Sequence, residues 1–126
     1  KISDDEIELH DSEKDIKTGV KKLIDEYHIP FICATMGKNG SMAFFDGHIV
    51  EAAPFLRDDT VETTGAGDTF CACLLHDVLE HGINDRKDDD VKKMLTFANA
   101  AASLITTRKG ALRVMPEKGE VEAVIK

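Results

Sequence analysis

The run Gly65-Ala66-Gly67-Asp68 places a flexible backbone directly before a carboxylate. Helical periodicity resumes at Asp68, so the two glycines stand at a helix start, where we expect the carboxylate to be buried. A helix N-terminus presents unpaired N–H groups and a partial positive charge, and glycine lets a bulky anion approach them. The sequence therefore predicts a phosphate-binding turn.

Asp68 would lie beside the bound anion, where a phosphate would repel its carboxylate. Helix stability alone does not explain that pairing, but phosphoryl transfer does. Asp68 could accept a proton from a hydroxyl while the N–H groups of Gly65, Ala66 and Gly67 hold the charge that builds on the phosphoryl group. Spacing alone leaves a second reading open, in which the glycines form a tight turn and Asp68 only caps a helix.

Two other glycine motifs are excluded. The chain contains no G-x-x-x-x-G-K-[ST] segment, so it carries no P-loop. In a G-x-G-x-x-G dinucleotide motif the last glycine would fall at Phe70. The turn therefore belongs to neither of these classes.

The first half of the chain predicts a helix, a strand and a hairpin. Ser3 and Glu6 form one capping box, and Ser12-Glu13-Lys14-Asp15 is a second helix-start signal. The next element is a helix that Pro30 stops, with apolar residues at Ile16, Val20, Leu23, Ile24 and Tyr27. A buried strand follows at Phe31–Thr35. Two hairpin strands, Ser41–Phe45 and His48–Ala52, then flank the turn Asp46-Gly47.

The second half predicts three helices. The first runs from Asp68 and ends at Gly82. The second has one apolar face, formed by Val91, Leu95, Ala98, Ala102 and Ile105. The third is short, begins at Pro116 and ends near Ile125. Helices alternating with strands indicate α/β layering. A single strand with a hairpin makes a thin sheet, so we expect part of a larger sheet.

Composition narrows the class of protein. The chain has 126 residues, enough for one domain, with 42% hydrophobic and 32% charged residues. Its net charge of −8 argues against nucleic acid as a partner. No apolar run is long enough to cross a membrane, and no signal sequence opens the chain. The three cysteines lack metal or disulfide spacing, which favours reduced thiols and a cytoplasmic location.

Four segments in order resemble the ribokinase-like (PfkB) carbohydrate kinases. The segment Val61–Phe70 resembles the family signature D-T-x-G-A-G-D, and Thr35–Gly40 resembles its T-L-G-x-x-G segment. The segment Asn99–Ala102 resembles the small-residue helix beside adenine, and Thr107–Ala111 followed by Pro116 resembles the closing loop. The resemblance implies a three-layer α/β/α fold, of which this chain holds only the C-terminal part of the sheet with its covering helices.

The resemblance also implies residue roles. Asp68 would be the general base, and the N–H groups of Gly65, Ala66 and Gly67 would form the anion hole. The nucleotide would lie against Thr35, Gly37, Gly40, Asn99 and Ala102. ATP and Mg²⁺ are the implied cofactors, with the metal held mainly through phosphates and water.

Many relatives also use a monovalent cation such as K⁺. Its ligands would map to Glu62 and to the carbonyl oxygens of Thr64, Thr106, Lys109 and Ala111. Two departures argue against K⁺ activation: Glu62 stands where the family usually has Asp, and Val114 falls near a position that often carries a hydroxyl.

The resemblance implies transfer of the ATP γ-phosphoryl group to a sugar hydroxyl. Fructose is the favoured sugar, ahead of ribose, ketodeoxygluconate and tagatose-phosphate, because the likeness is greatest to bacterial fructokinases. Residues 1–126 would then be one partial domain, the C-terminal portion that binds ATP. The N-terminal portion that binds the sugar and carries the lid would be absent, and the Lys1 start fits such a truncation. The alternative is a truncated, non-catalytic nucleotide-binding module that self-associates, for example as a homodimer, or needs a partner segment.

Overall fold

The computed structural model describes residues 1–10 and 15–126, with only the backbone of His10. The chain forms four strands and five helices within these ranges. In chain order they are β1 (Ile2–Ser3), α1 (Asp4–His10), α2 (Ile16–Tyr27), β2 (Phe31–Thr35), β3 (Ser41–Phe45), β4 (His48–Ala52), α3 (Ala66–His81), α4 (Asp88–Ile105) and α5 (Lys118–Ile125), with 3-10 turns at Gly37–Asn39 and Leu112–Val114.

The strands form one mixed sheet in the order β1-β2-β3-β4. β1 runs parallel to β2, while β2, β3 and β4 are antiparallel neighbours. Asp46 and Gly47 take φ values of 47° and 74°, the left-handed conformation that a tight hairpin turn requires. The predicted bounds of β2, β3 and β4 are confirmed.

The sequence did not predict β1. Two residues carry no periodicity, and Ser3 also belongs to the capping box of α1. Its Oγ accepts from the Glu6 N–H at 3.3 Å, and its own N–H donates to Glu6 Oε2 at 2.8 Å. That capping box is confirmed. For the second start signal only Asp15 is described; it caps α2 by accepting from the Thr18 N–H at 3.3 Å, whereas Ser12, Glu13 and Lys14 lie outside the described residues.

Helices cover both faces of the sheet. On one face α1 and α2 bury Ile7, Val20 and Leu23 against sheet residues that include Ile32 and Phe44. On the other face α3 and α4 pack against the sheet residues whose side chains point to that side: Cys33, Ala43, Phe45, Val50 and Ala52. Because successive strand side chains alternate between faces, the central strands β2 and β3 contribute to both cores. The layering is α/β/α, as the resemblance implies.

The small residues in the centre of α4 let its neighbours approach closely. Ala98, Ala100 and Ala101 are at most 1% exposed, and the C-terminal helix α5 packs over Ala100 and Ala101 through Val121. α3 begins at Ala66, two residues before the predicted start, and Gly82 ends it by donating its N–H to the Val78 carbonyl at 2.7 Å. The glycine run therefore forms the first turn of α3.

Candidate functional site

The N-terminus of α3 has no side-chain cap. Gly65 is the N-cap residue in a left-handed conformation, with φ at 83°. The Ala66 N–H donates back to the Thr63 carbonyl at 3.2 Å, and the Thr69 N–H donates to the Gly65 carbonyl at 2.9 Å. Among the described residues, the N–H groups of Gly67 and Asp68 therefore have no acceptor. Two unpaired donors at a helix start are the elements of an anion site.

Gly65 cannot be replaced by a larger residue without moving its neighbours. A Cβ atom there would lie 3.0 Å from the Ala111 Cβ and 3.4 Å from the Ile105 side chain. The positive φ would add strain for any L residue. Both constraints fix a glycine at the point where the chain enters α3.

Asp68 is exposed, so the expectation of a buried carboxylate was wrong. The first turn of α3 places it beside the open backbone, while the next residues, Thr69 and Phe70, turn into the core. Among the described residues no side chain pairs with the Asp68 carboxylate. The carboxylate is therefore accessible to a substrate at the same helix end as the two unpaired N–H groups.

A cavity of about 410 Å³ extends from this helix end between the sheet and α4. Its volume falls within the range of ordinary small-molecule pockets. Among the predicted site residues, those lining it are Thr35, Gly37, Gly40, Ala66, Gly67, Asn99, Ala102 and Thr106. Gly65, Asp68, Glu62, Thr64, Lys109 and Ala111 do not line it; Asp68 directly follows the lining residue Gly67.

Two predicted residues shape the cavity wall through the backbone. A Cβ at Gly40 would lie only 2.2 Å from the Ala52 carbonyl oxygen, and the φ of Gly40 is 91°. Asn99, 9% exposed, donates its amide N–H groups to the carbonyls of Ala52 and Ala53 at 3.3 and 3.0 Å. Asn99 therefore holds the end of β4 in place, and its donors are already used, whereas Gly40 lets the turn lie directly against the Ala52 carbonyl.

Sequence reasoning missed part of the lining. The connection after β4 contributes Pro54–Arg57, Thr60 and Thr63, and Lys38 contributes from the turn before β3. Arg57 donates to both carboxylate oxygens of Asp59, at 2.9 and 3.0 Å, and this bonding lowers the pKa of Asp59. An irregular connection has no periodicity, so no sequence signal marked Pro54–Arg57 or Thr60. Lys38 and Thr63 fall inside two of the family-like segments, but no role was predicted for them.

The predicted cation ligands are mostly engaged in hydrogen bonds. Glu62 Oε1 accepts from the Gly110 N–H at 2.9 Å. The Thr106 carbonyl accepts from the N–H groups of Val61 and Glu62 at 2.7 and 3.1 Å. The Ala111 carbonyl accepts from the Val114 N–H at 3.3 Å, whereas within the described ranges the carbonyls of Thr64 and Lys109 have no hydrogen-bond donor.

Other polar groups near the site have structural partners. Arg108 donates to Glu120 Oε1 at 2.6 Å and to the Val114 carbonyl at 3.0 Å, so its guanidinium ties the closing loop to α5. Burial raises the pKa of Cys33 to about 12 and that of Cys73 to about 11. Both thiols therefore stay protonated near neutral pH and are poor nucleophiles.

A second groove, of about 450 Å³, runs between α3, α4 and α5. It is lined by side chains such as Met94, Phe97 and Val121 and contains none of the predicted site residues. The cavity at the start of α3 is therefore the better candidate, because it combines the unpaired N–H groups, the glycine turns and the exposed Asp68.

Comparison with known proteins decides the family. Residues 1–118 match the pfkB family of carbohydrate kinases. The chain belongs to this family. The matched range includes the whole cavity lining and the glycine turn of the site described above.

Named relatives of this PfkB chain are fructokinases. It is 30% identical to the probable fructokinase-2 of Arabidopsis thaliana and 32% identical to the fructokinase of Klebsiella pneumoniae, with 97% of the chain aligned in each case. A fructokinase structure from Vibrio cholerae O395, in a form with fructose, ADP and calcium ion bound, superimposes with a TM-score of 0.82 at 23% identity over 98% of the chain and 39% of its own chain. The PfkB chain spans only 39% of each of the two curated relatives.

The superposition confirms the ribokinase-like α/β fold and its partial extent. Within residues 1–10 and 15–126, no helix of the PfkB chain is long and apolar enough to span a membrane. In the same ranges no three His, Cys, Asp or Glu side chains come together as a metal site.

Proposed function

We propose that this chain supplies the nucleotide side of an ATP-dependent sugar kinase. The observation that carries the proposal is the open start of α3, where unpaired N–H groups of Gly67 and Asp68 adjoin an exposed carboxylate. Phosphate would bind the N–H groups, and the Asp68 carboxylate would contact the attacking hydroxyl. Family membership supports this reading, because sugar phosphorylation needs both functions at one place.

The proposed reaction is an in-line displacement. The sugar oxygen forms a bond to the γ-phosphorus while the bond from that phosphorus to the bridging β,γ-oxygen breaks, which releases ADP. Asp68 takes the hydroxyl proton as the new bond forms. The unpaired N–H groups of Gly67 and Asp68 at the start of α3, together with the Gly65 N–H, hold the negative charge on the transferred group. The Ala66 N–H, the third predicted donor of the anion hole, would join them by releasing the Thr63 carbonyl.

The residues present fit ATP. The cavity of about 410 Å³ runs from the proposed anion hole, past Ala102, to the glycines of the turn before β3. We propose that Thr35, Gly37 and Gly40 lie along the nucleotide and that Asn99 and Ala102 lie beside the base. Mg²⁺ would be held chiefly by ATP phosphates and water, with no cage of protein side chains required.

Fructose is the proposed sugar. The two curated relatives carry fructokinase names, and the similar Vibrio cholerae structure holds fructose. We place residues 1–126 as the C-terminal, ATP-binding part of such a kinase, because Val61–Phe70 resembles the family's C-terminal signature and the chain spans only 39% of each relative. The sugar contacts would come from the portion of the relatives that this chain does not match.

The alternative is a nucleotide-binding module that is inert by itself. Two observations favour it for the isolated chain: the short span relative to its family, and the exposure of Leu75 and Leu79 on α3, at 59% and 86%. A general base needs a substrate held within hydrogen-bonding reach. Incubation of the 126-residue chain with ATP, Mg²⁺ and a sugar panel is expected to give no phosphorylation, and robust turnover would exclude the inert module.

Titration of the labelled chain with MgADP tests the site itself. We expect weak binding, with a dissociation constant in the millimolar range. The NMR amide chemical shifts should change at Gly67 and at the other cavity residues Gly37 and Ala102. Shift changes confined to Phe97 and Val121, in the groove between α4 and α5, would contradict the proposed site. Micromolar affinity by calorimetry would contradict the prediction that the chain binds nucleotide only weakly when isolated.

A further inference from the structure

We infer that Glu62 replaces a monovalent cation in this chain, so that the loop beside the anion hole is closed by a hydrogen bond and needs no K⁺. Glu62 Oε1 accepts from the Gly110 N–H at 2.9 Å across 48 residues of chain. This bond joins the segment before the glycine turn to the loop after α4. A cation ligated by both segments would make the same connection.

Several of the oxygen atoms that a cation would need already accept hydrogen bonds. The Thr106 carbonyl accepts two N–H groups, from Val61 and Glu62, and a carbonyl oxygen has two lone pairs. The Ala111 carbonyl accepts from the Val114 N–H. Val114 itself offers no side-chain oxygen. Of the five residues predicted as ligands, three therefore have an oxygen engaged, and only the carbonyls of Thr64 and Lys109 lack a hydrogen-bond donor within the described ranges.

The direction of the Gly110 N–H also disfavours a cation. Its positive end points at Glu62 Oε1, one of the two carboxylate oxygens through which Glu62 would ligate an ion. A cation bound through the lone pair of Oε1 that accepts this bond would have to displace the N–H and leave a half-buried donor without an acceptor. Leaving such a group unpaired costs about 1–3 kcal/mol.

The hydrogen bond matters because the closing loop supports the proposed anion hole. Ala111, next to Gly110, lies so close to Gly65 that a Cβ there would be 3.0 Å from the Ala111 Cβ. Holding Gly110 therefore holds Ala111 against the N-cap of α3. We assign Glu62 as a positioning residue, one that acts through Gly110 and Ala111 and does not contact the phosphates. Its relevance to phosphate binding rests on the proposed function, but its test needs no turnover.

Amide exchange and thermal unfolding of the 126-residue chain test the inference. In K⁺-free buffer we expect the Gly110 amide to exchange at least about tenfold more slowly than in Glu62→Ala, because only the wild-type chain supplies its acceptor. Glu62→Gln keeps a side-chain oxygen and should retain the protection. Glu122→Ala, an exposed substitution on α5, is the matched control and should leave Gly110 unchanged.

The melting temperature gives the second readout. At equal ionic strength, KCl and tetramethylammonium chloride should give melting temperatures within about 1 °C for the wild-type chain, because no site gains free energy from K⁺. A saturable, K⁺-specific rise overturns the inference, and so does an unprotected Gly110 amide in K⁺-free buffer. If the Gly110 amide is unprotected while MgADP still changes the amide chemical shift of Gly67, only this inference fails. If the Gly110 amide is protected and MgADP changes the amide shift of none of the cavity residues, only the proposed function fails.

Discussion

The left-handed conformation of Gly65 decides where the first N–H groups of α3 point. Its φ of 83° lets the chain turn sharply into the helix without a side chain over the helix end. An Asn, Asp or Ser cap would instead place its own oxygen on these donors. The absence of a side-chain cap at α3 leaves the N–H groups of Gly67 and Asp68 available to an external anion.

Asn99 stabilises the end of β4 through its two amide hydrogen bonds, and this predicts how its replacement changes stability. Asn99→Ala removes both hydrogen bonds to the carbonyls of Ala52 and Ala53, so the free energy of unfolding should fall by about 1–3 kcal/mol. Urea unfolding measures the change. Ser103→Ala is the control, because the Ser103 hydroxyl bonds only the Ala100 carbonyl of its own helix and its loss should be nearly neutral. Equal stability of the Asn99 variant and wild type would show that the amide does not hold β4.

At the scale of elements, regular periodicity predicted most of the fold. β2, β3 and β4 have the predicted bounds because buried runs and the Asp46-Gly47 turn signal are local. β1 was missed because its two residues form a strand only by pairing with β2, which is a tertiary contact. The connection after β4 was predicted, but its place in the cavity was not, because that place depends on how α4 packs against the sheet.

The turn between β2 and β3 gives a stability prediction. Gly40→Ala should lower the free energy of unfolding by at least about 3 kcal/mol, because it adds strain at a φ of 91° and forces a Cβ to within 2.2 Å of the Ala52 carbonyl oxygen. Gly47→Ala isolates the conformational cost: its φ is 74°, but no atom lies within 4 Å of the added Cβ, so about 1 kcal/mol is expected. Equal losses for the two variants in urea unfolding would exclude the close approach at Gly40.

At the scale of the whole molecule, α3 has two dissimilar faces. Phe70 and Leu74 are buried against the sheet, whereas Leu75 and Leu79 are exposed on the stripe that also carries Cys71. Sequence periodicity predicted this helix but not which of its apolar sides the fold would cover. The isolated chain therefore leaves this stripe open to other apolar surfaces.

The exposed stripe predicts self-association of the isolated chain. Replacing Leu75 and Leu79 together by Glu should shift the sedimentation coefficient toward that of a monomer, because the charges oppose burial of the stripe. Leu112→Glu is the matched control: Leu112 is 84% exposed but lies in the turn between α4 and α5, apart from the stripe. Unchanged association of the double variant, or an equal effect of Leu112→Glu, would show that the stripe is not the contact surface.

The most direct test of the account is Asp68→Asn in an active kinase that contains this chain. If Asp68 is the general base, turnover should fall by about 10²- to 10⁴-fold while ATP affinity stays nearly unchanged, because the backbone N–H groups remain. Asp89→Asn, an exposed aspartate in the first turn of α4, carries the same charge change at another helix start and should leave turnover near the wild-type value. A near-normal rate for Asp68→Asn would contradict the central claim that this residue takes the proton from the sugar.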